Sequence, residues 1–184
     1  MEQLPKDRDI VAIVPEYSDQ GDSTRMYLRD GTERLLPVTM RTTLRALARR
    51  RCKDLGLMRR WAQQYTHRVL NNPLSVGVEM VLAPVKTRAP RVEGDEAMGC
   101  VNVAAGVAAT RLVGSHPLHR MTELHLAGGR RLPVHWSLAT TQRHLKDAEL
   151  VHTRLIAESA AAMLYQLQLK DEDKEDASAD QKVF

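Results

Sequence analysis

Aromatic residues are scarce, 4% of the 184 residues with a single phenylalanine. Proteins that hold single-stranded DNA or RNA stack bases on exposed aromatic rings. Trp61 and Tyr65 share a helical face with Leu57 and read as core, which leaves that mode without a platform. Cysteine is scarcer still. Cys52 and Cys100 stand far apart with no second pair beside them. A zinc site takes about four ligands, usually in close pairs, so these two read as reduced, partly buried thiols. No run of about 18 apolar residues occurs, so no membrane span is expected. The opening "MEQLPKDRDIVAIV" has no apolar core of signal-peptide length and no small-residue cleavage site, which points to the cytoplasm.

Catalytic signatures are missing too. No glycine-rich loop leads into Lys-Ser or Lys-Thr, and neither G-x-S-x-G nor H-E-x-x-H occurs. The stretch "AAGVAATRLVG" does not open a helix after a strand, so it is no dinucleotide fingerprint. Asp22, Asp30, Glu93, Asp95 and Glu96 all fall in predicted loops, where nothing fixes two carboxylates at a working distance. Among seven histidines, His116 and His119 straddle a proline, and His125 and His135 lie on a predicted hairpin. No cysteine or carboxylate pair accompanies them, so no metal site is expected. These absences lead to the expectation of a non-enzyme without cofactors.

What is present is an ordinary globular composition, 43% hydrophobic and 27% charged. The charge is unevenly spread. Net charge is +4, but residues 171–184 carry six acids and two bases, which leaves +8 on residues 1–170. A basic body with an acidic tail points to a polyanion partner. The expectation is one domain over 1–170 and a disordered acidic tail over 171–184.

Along the chain, "DIVAIVP" reads as a strand closed by Pro15. "TRMYLR", the turn "DG" and "ERLLPV" read as a hairpin. Thr39 can cap a helix over about 39–54, stopped by Gly56. A second helical stretch, "LMRRWAQQYTHRVL", follows. "LSVGVEMVLAPV" is a hairpin or a bent strand, "KTRAPRVEGDEAM" a loop, and "GCVNVAAGVAATRLV" one or two strands. A strand at 122–127, a Gly128-Gly129 turn, a strand at 131–135 and a long helix capped by Ser137 complete the body.

Two stretches share a pattern. "TRMYLRDGTERLLPVTMRTTLRAL" from Thr24 matches "TELHLAGGRRLPVHWSLATTQRHL" from Thr122. The expected fold is therefore α+β, strand-rich, with two pseudo-repeated strand-strand-strand-helix units at about 8–70 and 98–170. The first carries an arginine-rich helix and the second a long C-terminal helix. The Leu138, Leu145, Leu155 side of that last helix is the expected self-association surface.

The positive chemical signal lies in 41–60, with eight Arg or Lys and one acid, Asp54. Arg41, Arg45 and Arg49 repeat every four residues and form a stripe along one helix face. No acids sit at i±4 to pair them. Arginine reaches phosphates and narrow minor grooves through a planar, weakly hydrated fork. The candidate DNA contacts are Arg41, Arg45, Arg49, Arg50, Lys53, Arg59 and Arg60.

The order of short motifs resembles the ComK family of competence transcription factors. The motifs are "AIVP", "RRRCKDLG" with Cys52 and Gly56, "NNPLSV", "LAPV", "GCVNV" with Cys100, and "TELHLAGGRRLPVHWS", then the stretch from Gln142 to Ala148. The likeness spans roughly 8–150. The chain departs from the family at Leu82-Ala83, where members carry aromatics, near Asn102, where they carry a tryptophan, and in a longer loop at 90–97. The resemblance implies an activator of competence and DNA-uptake genes that binds paired AT-rich boxes of double-stranded DNA, largely from the minor groove, as a homo-oligomer. "AMLYQL" at 162–167 is similar to the tail segment that members offer to a Clp protease adaptor. Here Leu155, Met163 and Leu167 place it on a helical face as core. Two alternatives stay open: a LytTR-type DNA-binding domain, and a protein-interaction homologue that keeps the fold without binding DNA.

Overall fold

The computed structural model describes residues 4–19, 21–112 and 121–180, with side chains described up to Lys170. The chain divides into two compact units, Met1–His152 and Thr153–Phe184.

The first unit is α+β. Strands β1 (Ile10–Ser18), β2 (Gly21–Leu28) and β3 (Glu33–Leu36) form a meander that runs into helix α1 (Met40–Arg50). Helix α2 (Leu55–Thr66) follows, then β4 (Leu74–Gly77), β5 (Met80–Lys86) and β6 (Met98–Asn102). These six strands make one antiparallel sheet in the order β3-β2-β1-β6-β5-β4. A second meander, β7 (Val107–Arg111), β8 (Thr122–Leu126) and β9 (Arg131–Val134), makes a three-stranded antiparallel sheet and leads into α3 (Leu138–Asp180).

The two meanders close in the same way. Thr24 Oγ1 donates to the carbonyl of Val38 at 2.8 Å, and Thr122 Oγ1 donates to that of Trp136 at 2.8 Å. Both threonines are fully buried. Thr39 caps α1 by accepting the Thr42 N–H, and Ser137 accepts the Thr140 N–H at the start of α3. The two hairpin turns touch. A side chain on Gly128, at φ 79°, would meet the Arg29 carbonyl at 2.8 Å, so only glycine fits. The second copy begins at β7. β6, counted with it in the sequence, pairs with β1 and β5 in the large sheet instead. Its side chains alternate across a sheet whichever sheet that is, so patterning alone could not assign it.

Pro15 does not end β1, which continues to Ser18. Beyond Ile13, β1 pairs with β2 alone, and a strand with one open side tolerates a proline. The core under the large sheet gathers Ile10, Ile13, Met26, Leu82 and Cys100 with Met40, Leu44 and Leu47 of α1. Helix α2 buries Met58 and Ala62. Leu57 is 58% exposed, and Trp61 and Tyr65 are half-buried, stacked edge-on with ring centroids 5.1 Å apart. The expected core stripe of α2 is thus displaced by one residue. Small Ala62 lets the helix sit close to the sheet, and the bulky stripe is left at the margin.

Asn102 is the polar hub of the large sheet. Its side chain is 1% exposed and makes four hydrogen bonds. Nδ2 donates to the carbonyls of Ile10 and Glu79, at 2.9 and 3.0 Å, and Oδ1 accepts the N–H groups of Val81 and Ala104. It ties β1, the β4–β5 turn and the end of β6 at one point.

The second unit is the remainder of α3. Ile156, Met163, Leu164, Tyr165 and Leu167 are exposed, so "AMLYQL" is helical but not core. Leu145, expected on a self-association surface, is buried in the first unit instead. The helix continues to Asp180, into the segment expected to be disordered. No helix among the described residues is long and apolar enough to cross a membrane.

Asn102→Ala would leave the buried Ile10 carbonyl and Val81 N–H without this partner, and would also free the part-buried Glu79 carbonyl and Ala104 N–H. It should lower unfolding free energy by about 2–4 kcal/mol. Urea unfolding should show a lower midpoint at an unchanged slope; an unchanged midpoint would remove Asn102 from this role.

Candidate nucleic-acid interface

Helix α1 is amphipathic by its period. Met40, Thr43, Leu44, Leu47 and Ala48 are buried, which turns Arg41, Arg45 and Arg49 to solvent. The helix stops at Arg51, and Cys52 takes a left-handed backbone at φ 53°. Gly56 is not the stop; it lies in the first turn of α2. Asp54 caps that turn, accepting the Leu57 N–H at 2.9 Å. This bond holds its carboxyl below the ordinary range. The reversal folds the start of α2 back beside α1 and brings Arg59 toward the stripe.

The result is a cleft of about 210 Å³ lined by Arg41, Arg45, Arg49, Lys53, Arg59 and Asp54, with Ala48 and Leu55 between them. Five cations face one carboxylate. Arg45 and Arg49 make no ion pair or side-chain hydrogen bond among the described residues. Arg41 uses its backbone N–H on Glu96, at 3.2 Å. Lys53 lines the cleft while its Nζ donates to the Ser75 carbonyl at 2.7 Å. A surface of this kind attracts a polyanion and supplies several charge-assisted donors at once.

Two of the expected contacts lie elsewhere. Arg50 points away from the cleft. It pairs with Asp7 and donates to the carbonyls of Pro5, at 2.6 Å, and Leu4, at 3.3 Å. Arg51 joins it, with Nε 2.6 Å from Asp7 Oδ2. The Asp7 side chain is 1% exposed, so both arginines serve to neutralise a buried carboxylate. Nothing in the run "RRRCK" distinguishes Arg49 from Arg50; their roles depend on an aspartate more than forty residues away. Arg60 faces a separate groove on the other side of α2, and Arg59 lines both.

A second basic cluster escaped the sequence. Arg88 and Arg91 lie over the Tyr17 ring, 3.9 and 4.0 Å from its centroid. Arg88 also bonds Asp22 at 2.9 Å and the Glu96 carbonyl. The pairings with Tyr17 and Asp22 join segments 66 or more positions apart, and no local signal marks them. Asp22 itself sits in β2 rather than in a loop.

Of the histidines, His125 bonds Thr110 Oγ1 at 2.8 Å, and His116 and His119 lie outside the described residues. Among the described residues, no group of three or more His, Cys, Asp or Glu side chains gathers around a metal-sized space. Both cysteines are free; Cys52 is exposed and Cys100 buried. The chain matches no protein-family model, no curated protein and no solved structure.

Asp7→Asn should cost about 1–3 kcal/mol, because the buried amide loses the charge-assisted bonds from two guanidiniums that are themselves partly exposed to water. Arg45→Ala and Arg49→Ala should each stay within about 0.5 kcal/mol of the parent. Urea unfolding of the three variants separates the two classes; a large loss at Arg45 or Arg49 would make them packing residues.

Proposed function

We propose that this chain binds double-stranded DNA as a transcriptional regulator of the ComK type and contacts the backbone through the α1–α2 cleft. The observation that carries this reading is the convergence of Arg41, Arg45, Arg49 and Arg59 on one concavity whose lining holds a single acid. Successive stripe arginines stand about 6 Å apart along the helix axis. That is close to two backbone steps of about 3.4 Å each. The stripe therefore suits a course alongside a strand, one arginine to every second phosphate. Where the groove narrows in A-tracts, its negative potential deepens and draws in the same side chains. Minor-groove readout separates A·T from G·C and little more, so paired AT-rich boxes and their spacing supply the remaining specificity.

Paired boxes call for more than one copy of the protein, and the second unit carries a surface fit for association. Ile156, Met163 and Leu167 repeat at i, i+7 and i+11 and are 47%, 64% and 49% exposed. Ala160 falls between them on the same stripe, and such spacing builds a helix–helix seam. The same exposed residues are accessible to a protease adaptor that reads an apolar segment.

Fluorescence anisotropy on a duplex with two A-tract boxes and on a G·C-matched duplex, over a series of salt concentrations, tests the DNA reading. A-tract binding should be tighter, with a log–log salt slope steeper than about −4. The combined Arg41→Ala, Arg45→Ala, Arg49→Ala variant should flatten that slope by about 3 while keeping its unfolding midpoint. Equal, weak binding to both duplexes would overturn the reading.

Sedimentation of the full chain tests the seam. The parent should be a dimer or larger at micromolar concentration, and Met163→Glu with Leu167→Glu should return a monomer of unchanged helix content. A parent that stays monomeric at about 100 μM, a free energy of association weaker than about −5.5 kcal/mol, would exclude self-association.

A further inference from the structure

The groove behind α2 is larger than the cleft in front, at about 740 Å³, and its chemistry is different. Its lining is largely apolar, with half-buried Met98 at the surface and the edge of the core, Met40, Leu44, Leu74 and Cys100, beneath it. Burial pushes the Cys100 thiol up to about 12, so this sulfur is a neutral part of that core edge and no nucleophile. At one lip the apolar side chains Val69 and Leu70 are 81% and 74% exposed. The volume falls within the range of roughly 300–1,000 Å³ typical of small-molecule sites.

The charges around the rim are unequal in availability. On one side Asp95 accepts the Tyr17 hydroxyl and the N–H groups of Arg91 and Val92, at 2.9 and 3.1 Å. Glu96 accepts the Arg41 N–H, and burial raises its pKa toward the neutral form. Both acids are already engaged. On the other side Arg59 and Arg60 carry no ion pair among the described residues. The hydrogen-bond donors left without a partner beside the apolar lining are therefore those of the two guanidiniums, which Asp54 attracts only through space.

We propose that this groove binds an amphipathic carboxylate, its alkyl chain on the apolar lining and its head group on Arg59 and Arg60. Because Arg59 also lines the α1–α2 cleft, an occupied groove withdraws one cation from that cleft. Such a ligand acts as a negative effector of DNA binding. This second consequence rests on the proposed function, whereas occupancy of the groove does not.

Decanoate is the probe, titrated calorimetrically into the full-length protein, with decyltrimethylammonium as a control of equal chain length and opposite charge. Decanoate should bind saturably at one site, at least ten-fold more tightly than the cation. Arg59→Ala with Arg60→Ala should weaken decanoate at least ten-fold and strengthen the cation. Ala97→Trp, which fills the groove from its wall without altering charge, should abolish binding of both. Urea unfolding checks that each variant remains folded. Absence of saturable decanoate binding up to about 1 mM, or equal binding by parent and double-arginine variant, overturns the site. Saturating decanoate should weaken A-tract binding several-fold and flatten the salt slope by about one phosphate's worth. Decanoate binding with unchanged DNA affinity would overturn the competition alone. Decanoate binding by a protein that does not bind DNA would overturn the DNA reading and leave the groove assigned.

Discussion

Asp7 is a carboxylate taken almost wholly out of water, and much of the first unit is arranged around that constraint. A buried charge persists only with counter-charges and hydrogen bonds close by. Arg50 and Arg51, at the end of α1, supply both. The segment before β1 is thereby strapped across the helix terminus, and the Leu4 and Pro5 carbonyls accept from Arg50 as well. The strap also reaches the first hairpin turn. The Arg29 N–H donates to the Asp9 carbonyl at 2.8 Å, and Arg29 Nε donates to that of Arg8 at 3.1 Å. That turn packs on its counterpart at Gly128, and Arg130 donates to the Gly31 carbonyl from the second hairpin. The segment that Asp7 anchors to α1 thus links that helix to the first meander and, through it, to the second.

The same constraint divides the arginine-rich run. Arg50 and Arg51 are drawn to one side of α1, so Arg41, Arg45 and Arg49 are left as a separate stripe on another. The reversal at Cys52 then adds Arg59 to that stripe rather than to the strap. A helix with arginine on every face would make a diffuse basic surface. Committing two arginines to structure leaves a directional one, which suits a linear polyanion better than a scattered charge does.

The duplicated meander bears on how labour is divided. Both copies close with a buried threonine, a capped helix and a tight turn, and differ in what the helix carries. In the first copy it presents cations. In the second it continues into an exposed apolar stripe. The three strands inserted between the copies widen the first sheet and contribute to the lining of the groove behind α2.

Much of the fold was legible in the chain itself. Apolar alternation marked the two hairpins, the four-residue period marked α1, and Thr39 and Ser137 marked helix starts, because each of these signals is local. The α+β class and the repeated strand-strand-strand-helix unit followed from them. Local signals could not say which of two adjacent stripes α2 would bury, since 57/61/65 and 58/62 both fit a helical period. They could not show that β6 joins the first sheet, that Pro15 sits inside a strand, or that Arg50 answers to Asp7. Those outcomes depend on partners elsewhere in the chain, from nine residues away for Pro15 to more than forty for Arg50, and only packing selects among them. The sequence by itself determined that a basic, arginine-striped helix would exist. The tertiary structure decided which arginines remain uncommitted, because a buried carboxylate claims the nearest cations and sequence does not record distance in space.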